Sequence, residues 1–541
     1  MSPFFRFLLL ALMALFLADV CLGQTTERVS VNSQGVGGDE SSSYPSISES
    51  GRYVAFSSRA SNFVAANLNS AGDVFVHDRQ TGMIERVSKD SFGVEGDYGS
   101  GNPYISAAGR YVVFESHATN LVAGDLNLEQ DVFIHDRQTG TTKRVSVSSQ
   151  GVEGDDFSWM AAISSDGRYV VFASHASNLV AGDTNGDADI FVHDRQTSMT
   201  ERLSVGLQGA EANNLSVSPS ISADGRYVAF QSSASNLVVG DSNGAHDIFI
   251  YDRQTNVTER VSVNSQGVEG NNTSDTPSIS GNGRWVTFRS LADNLDPLDM
   301  NSNNDIFVRD RLTNETKRVS VDYRGQGGGR ACASPLISAN GGYVVFQSYS
   351  NNLVPEDLND VADIFVHDMQ SGITERISVN SSGIEANYSS HHPSISADGR
   401  YVAFYSSADN LVLGDTGMKV DVFVRDRWNG LGSDFIYLTG PSTAPVGTSL
   451  TLLWFTARPD SQYWLAYSLN KNGSVVGGHA IDLGSPLSVL ATGVNSVSGT
   501  SFYHSPPVPS SLAGVTVFAE LLARDVGGVL YDSKALAITF F

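Results

Sequence analysis

The chain has 541 residues, 41% of them hydrophobic, and a formal net charge of −24. So acidic a protein repels nucleic acid and anionic membranes at long range, which excludes both as expected partners. The length is too great for one ordinary core, so several domains or a repeat architecture is expected.

In residues 1–23 one basic residue, Arg6, precedes an apolar run from Phe7 to Leu17, and the segment ends in small or uncharged residues at Gly23. This is the pattern of a secretory signal peptide, and it predicts a protein that is secreted or kept in the periplasm or cell envelope. Lipid attachment at Cys21 is the weaker reading, because Val20 stands where a small residue is wanted. No other stretch approaches the roughly 18–20 apolar residues that cross a bilayer, so no membrane span is expected. With the signal removed Cys332 is the one cysteine left, so an intrachain disulfide is not expected. Cys332 reads as a small, buried apolar residue.

Over residues 24–430 the chain repeats. The string GRYVAF or a close variant begins at Gly51, Gly109, Gly167, Gly225, Gly283, Gly341 and Gly399, always 58 residues apart. D-(I/V)-F-(V/I)-x-D begins at Asp73 and recurs with the same period to Asp421. (E/K)-R-(V/L/I)-S runs from Glu27 to Glu375. Within one unit four short strands are predicted, over 218–222, 226–232, 247–252 and 258–263, each rich in β-branched and aromatic residues and joined by Gly, Asn, Asp and Ser. Gly225 supplies the positive φ of the first tight joint.

Alternation places Tyr227 and Ala229 on one face of the sheet and Val228 and Phe230 on the other, so both faces need cover. Identical sheets stacked radially provide it, which predicts a β-propeller. The third string occurs before the first GRYVAF and is missing after the last DVFVRD. The count balances if the N-terminal strand near Glu27–Val31 completes the final blade, giving seven blades in a closed ring without free edges.

Units of the form SPSISADGRYVAF followed by DIFIYD resemble the WD-like repeats of the TolB-type propeller family, with PSISADGRYVAF standing where that family has its Pro-x-x-Ser-Pro-Asp-Gly turn. The resemblance spans about residues 25–427 and implies the propeller fold. It implies no single activity, since such propellers serve as docking platforms, enzyme domains and scaffolds. Ala223 replaces the family's second Pro, a departure that concerns turn rigidity.

After Arg427 the period stops, and WNGLGSD reads as a linker. Residues 434–541 alternate strand-like runs (449–456, 463–469, 515–523 and 535–541) with Gly- and Pro-rich turns, which predicts a small C-terminal β-sandwich. Tyr463, Trp464 and Tyr467 could stack on a sugar there, although their spacing places some of them in a core.

The loop GDTNGDADIFVHDR carries alternating oxygen side chains, Asp183, Asn185, Asp187 and Asp189, as calcium loops do. In the seven copies the first and third positions are nearly always Asp or Asn and the last is always Asp, but the fifth runs Ala71, Glu129, Asp187, Ala245, Asn303, Val361 and Lys419. The favoured reading is an Asx turn in which the first residue's side chain accepts from backbone N–H groups two residues on. Calcium at the third copy is the alternative, and no other cofactor is expected. The column His77, His135, His193, Tyr251, Arg309, His367 and Arg425 calls for a polar tip on an apolar stem rather than a metal ligand. No G-x-S-x-G elbow or other catalytic constellation stands out, and no catalytic residue is assigned. The segments 156–161 and 323–333 depart most from the repeat, and His391-His392 precedes a predicted first strand.

These observations favour an exported, non-catalytic monomer that binds a protein or carbohydrate ligand on one propeller face. A hydrolase or lyase acting on polysaccharide or peptide at the channel mouth is the alternative, and a calcium-stabilised adhesin is a third.

Overall fold

A computed structural model describes residues 24–428 except 66–68, 70, 323, 356 and 416–418, and beyond 428 it describes strands between residues 435 and 539. Gln24–Arg427 form one compact unit of seven four-stranded antiparallel sheets, a seven-bladed propeller. The first blade contains β2 (Ser42–Ile47), β3 (Tyr53–Ser58), β4 (Asp73–Asp78) and β5 (Met83–Arg86), paired in that order, and five further blades repeat it. The last blade has Ser390–Ile395, Tyr401–Ser406 and Asp421–Asp426, and its outermost strand is β1 (Thr25–Arg28) from the other end of the chain. Thr25 pairs with Asp426 and Arg28 with Phe423, so the ring closes as the strand count required. Arg425 Nη2 donates to Gln24 Oε1 at 2.7 Å and Ser30 Oγ to Asp421 Oδ1 at 2.5 Å, tying the two ends together.

The strand boundaries depart from expectation in two places. The first strand of the fourth blade is Ser216–Ile221 rather than 218–222, and the last is Val257–Arg260 rather than 258–263. In every first strand the ladder slips after the second residue. The third residue there has positive φ, from 44° at His392 to 55° at Ser218. In all blades but the third a Pro follows it, and Pro has no N–H to give the ladder, so the bulge sits where pairing is already interrupted. Pairing resumes on the near side of this bulge, and His391 and His392 therefore lie within the strand Ser390–Ile395.

The two faces pack as the alternation predicted. Val228 and Phe230 join Val171, Ala173, Ile190 and Val192 of the preceding blade, whereas Ala229, Ile248 and Ile250 join Val286, Phe288 and Phe307 of the next. Each blade thus sets large side chains against its neighbour's small ones, and burying one Phe contributes about 1.5–3 kcal/mol. Cys332 is buried at 1% exposure beside Ser348 Oγ, and burial pushes its thiol up to about 12.

The His, Tyr and Arg column lies behind the outermost strand. His135 Nδ1 is 2.8 Å from Thr142 Oγ1 and His193 Nδ1 2.9 Å from Thr200 Oγ1, while Arg309 Nη1 donates to Thr316 Oγ1 at 3.1 Å. The column is therefore a buried polar tip, as its residue types suggested. Where Ile84 replaces Thr, buried His77 Nδ1 has no partner. The Asp that follows this column pairs locally, as in Asp194, which takes Arg168 through both carboxylate oxygens at 2.9 and 2.7 Å.

At the turn end of each blade a second device sets the spacing. The Tyr227 ring lies over Gly283 of the next blade, with the Cζ atoms of Arg226 and Arg311 at 4.7 and 4.5 Å from its centroid. Arg226 also takes Asp252 bidentately at 2.8 and 2.7 Å, and Arg311 Nη1 donates to Gly283 O at 2.6 Å. Gly283 has φ +72°, and a Cβ there would lie 2.2 Å from the ring.

Beyond residue 428 the described strands Thr451–Phe455, Phe435–Thr439, Thr516–Arg524 and Leu530–Thr539 form one sheet in that order, and Ala480–Asp482 pairs with Ser488–Leu490. The region is β-rich as expected. The expected sandwich is not seen among the described residues, and Tyr463, Trp464 and Tyr467 lie outside them.

Gly283→Ala meets both the positive φ and the Tyr227 ring, so it is expected to cost about 3 kcal/mol from strain plus overpacking. Denaturant unfolding measures it; Gly267→Ala, where no atom lies within 4 Å, carries the φ penalty alone and is expected to cost less.

Candidate functional site: acidic loops and the channel mouth

Asp183 and Asp189 do converge, but on Arg202: its Nη1 lies 3.4 Å from Asp183 Oδ1, 3.2 Å from Asp189 Oδ2 and 2.6 Å from Oε1 of Glu211, a residue the sequence reading did not include. Asn185 forms the Asx turn, its Oδ1 accepting from Asp187 N–H at 2.8 Å while its Nδ2 donates to Asp189 Oδ2 at 3.1 Å. The turn is thus centred on the third residue of the loop, not the first, because the first is drawn to the arginine. Asp187 is not among the residues whose carboxylates gather; those are Asp183, Asp189 and Glu211, repeated as Asp125, Asp131 and Glu153 and as Asp241, Asp247 and Glu269.

Three carboxylates around one guanidinium leave excess negative charge. Burial and the neighbouring carboxylates push Asp183 up to about 6, and Asp125 and Asp357 rise to the same level. Any cation here would share its ligands with an arginine already among them. In the 323–333 segment Gly327 stands where five blades have the Glu, as Gly37 does beside Arg28, and Arg318 turns to Asp296 at 3.0 Å, Asp299 at 3.1 Å and Asp305 at 3.3 Å.

The channel is lined by the first strands, which contact one another in sequence around the ring. Its two ends differ. At the turn end a circle of backbone hydrogen bonds joins neighbouring blades: Glu49 N–H donates to Ala107 O at 3.2 Å, Ala107 to Ser165 at 3.2 Å, Ser165 to Ala223 at 3.1 Å, and Ala223 to Gly281 and Gly281 to Ala339 at 2.9 Å. Asn340 N–H then reaches Ala397 O, and Ala397 N–H returns to Glu49 O. Ser165 Oγ also donates to Glu49 Oε1 at 2.6 Å, reaching past the intervening blade.

At the loop end the bulge turns out the second and third residues of each first strand. Here the repeat loses its uniformity, reading Ser43-Tyr44, Gly101-Asn102, Trp159-Met160, Val217-Ser218, Asp275-Thr276, Ala333-Ser334 and His391-His392. The residues facing the second members across the sheet vary as well: Ser57, Glu115, Ala173, Gln231, Arg289, Gln347 and Tyr405. Third residues of adjacent blades reach one another, Ser218 Oγ lying 3.5 Å from the Met160 sulfur.

Two aromatic clusters form in this belt. Between the last and first blades His392 lies 4.8 Å from Tyr44 and stacks on Tyr405 at 5.6 Å, and His391 is 5.5 Å from Tyr405. In the third blade Trp159 stacks on His175 at 5.4 Å and meets Phe157 at 4.7 Å. Burial lowers both His391 and His392, and burial first, then Tyr44 and Tyr349, pushes Tyr405 up to about 12. At neutral pH this cluster is uncharged.

The charged members are already engaged. Glu115, 6% exposed, accepts from Asn102 Nδ2 at 2.8 Å, Gln130 Nε2 at 2.6 Å and Met160 N–H at 2.6 Å, and burial raises it above the usual carboxylate range despite these donors. Asp275 holds Arg289 through both oxygens at 2.6 and 2.5 Å. The belt therefore offers ring faces, amides and hydroxyls, with its carboxylates satisfied. Of these residues the sequence singled out only the 156–161 segment, Ala333 in the 323–333 segment, and the His pair.

No family model matches the chain, and no curated protein matches it. Among solved structures, an oligogalacturonate lyase in complex with manganese aligns over 75% of this chain and 94% of its own, with 14% identity and a TM-score of 0.45. A putative TolB from Agrobacterium tumefaciens aligns over 56% of this chain and 87% of its own, at 17% identity and a TM-score of 0.35. An acylaminoacyl peptidase from Pyrococcus horikoshii aligns over 77% of this chain and 57% of its own, at 12% identity and a TM-score of 0.44. The likeness to TolB and to the other propellers is distant and concerns the fold.

Proposed function

We propose that the chain is an exported, non-catalytic propeller that binds a glycan at the loop-end mouth of its channel. The observation that carries this reading is the belt of unlike residues at the mouth: in a repeat whose structural columns hardly change, the variation gathers there and brings two aromatic clusters with it. Ring faces, exposed at Tyr44 and His392 and partly buried elsewhere, beside neutral hydrogen-bonding groups suit sugar rings, whose C–H faces stack and whose hydroxyls need donors and acceptors. The enzyme reading asks for a perturbed carboxylate at the mouth, and Glu115 is one, but its three donors suit a brace between the second and third blades.

A binding screen against immobilised glycans tests the proposal. Tyr44→Ala is expected to weaken any binding ten- to a hundredfold without lowering Tm by more than a few degrees, Tyr44 being exposed. Release of oligosaccharide products, abolished by Glu115→Gln, would replace the scaffold with an enzyme. Export itself is checked by fractionating cells and sequencing the mature N-terminus.

The acidic loops fit a structural role in which Arg202 supplies the positive charge. Because Asp183 is raised to about 6 from an ordinary 3.8, its protonated form is favoured by folding, and its ionisation reduces stability as pH rises from about 4 through 6. Asp183→Asn is therefore expected to raise Tm at pH 7.5, with the gain shrinking toward pH 4, and a chelator is expected to leave the wild-type Tm unchanged. A calcium site would give the opposite pair of results, a lower Tm for the variant and a lower Tm with chelator.

A further inference from the structure

We infer that the channel is a one-ended well that takes the terminus of an uncharged glycan chain. This rests on the glycan reading above and adds to it the charge of the ligand and the part of the chain that is bound.

The closed end follows from the backbone circle. A Cβ on Gly281 would lie 3.4 Å from Ala223 Cβ and 3.3 Å from Ala339 Cβ, so residues at this level stand shoulder to shoulder around the axis. Seven positions at that spacing close into a ring about 4 Å in radius, and carbon radii reduce the opening to about 4 Å across. Water passes such a gap; a pyranose ring with its hydroxyls does not. The Glu49–Ser165 bond spans part of the same gap. Widening it would break hydrogen bonds that link one blade to the next, so a polymer cannot thread the propeller. A ligand that enters the mouth must leave by it, and what descends beyond the belt is a chain end.

The charge follows from the belt. Arg289 is its one cation among the described residues of those columns, and Asp275 neutralises it, while Glu115 adds a further negative charge. Burial keeps His391 and His392 neutral at pH 7, and the protein as a whole is strongly acidic. An oligouronate or sulfated chain would meet net negative charge in these columns, whose one cation is already paired with Asp275. The aromatic faces, by contrast, need no charge in their ligand.

The test uses the mature full-length chain and calorimetric titration with linear hexasaccharides of glucose, N-acetylglucosamine, mannose and xylose, each alongside its shorter members, and with hexagalacturonate. The expected result is binding of a neutral series whose affinity rises over the first two or three sugars and then stays within twofold. A long polymer of the same sugar should bind one protein per chain end, not in proportion to its length. Asp275→Asn, which frees Arg289, is expected to bring hexagalacturonate affinity up at least tenfold. Stoichiometry that grows with polymer length overturns the well, and wild-type affinity for hexagalacturonate matching the neutral series overturns the charge assignment. Both of these leave the glycan reading standing, whereas no binding of any glycan, with mouth variants equally silent, removes that reading and this inference together.

Discussion

Every blade is apolar on both faces, and the remainder of the architecture answers to that. An isolated four-stranded sheet of this sequence would expose Val228 and Phe230 to water on one side and Ala229, Ile248 and Ile250 on the other. Stacking copies side by side buries both, and the alternation of large and small side chains makes each interface a fit of unlike surfaces. The Tyr227 ring over Gly283 then fixes how close two blades come at the turn end, since that approach leaves no room for a Cβ. The same rotation applied at each interface must close or leave an apolar face bare. Pairing of β1 with the strand Asp421–Asp426 closes it, and makes the last blade depend on residues from the opposite end of the chain.

Charge is handled by a parallel economy. Arginines from the repeat serve at both ends of every blade but the sixth, where Gly342 takes the turn-end position, and they do so in different ways. At the turn end Arg226 and Asp252 form a one-to-one bidentate pair, and the carboxyl falls to about 2 because the guanidinium favours its ionised form. At the loop end one arginine faces three carboxylates, and burial wins over a single positive charge, so Asp183 moves the other way. Both arginines favour the ionised form of their partners, and Glu211, which also faces Arg202, falls to about 2; at Asp183 burial and the neighbouring carboxylates outweigh the guanidinium.

The fold was legible in the sequence because its determinants are local and repeated. Seven copies of GRYVAF in phase disclose both apolar faces, and a displaced (E/K)-R-(V/L/I)-S string discloses the closure. The candidate site was less legible. Its first-strand residues precede a Pro in six of the seven blades, in a bulge whose third member has positive φ although it is never Gly, and no local propensity announces that conformation. The acidic loop was legible as a turn but not as an arginine cluster, since Glu211 is 22 residues from Asp189 in sequence and only the fold brings it near. What a repeat conceals is therefore chiefly what depends on contacts between its loops.

The bulge also explains why the mouth is free to vary. Tyr44, Asn102, Met160, Ser218, Thr276, Ser334 and His392 adopt the same φ within a narrow range, so the backbone there is set by its neighbours and not by the side chain it carries. Each such residue stores about 1–3 kcal/mol of strain, offset by the sheets on either side. Columns that hold blades together, such as Phe230 and Gly283, cannot change without loss of packing. Columns at the bulge are less bound by packing, although Asn102 and Met160 share Glu115 across two blades and Trp159 and Val217 touch the core. Seven differently chosen side chains can thus be presented on one rigid ring at little cost to its assembly. A propeller built this way separates the residues that make it fold from those that meet a ligand, and the place where its copies disagree is the place where selection for binding could act without disturbing the fold.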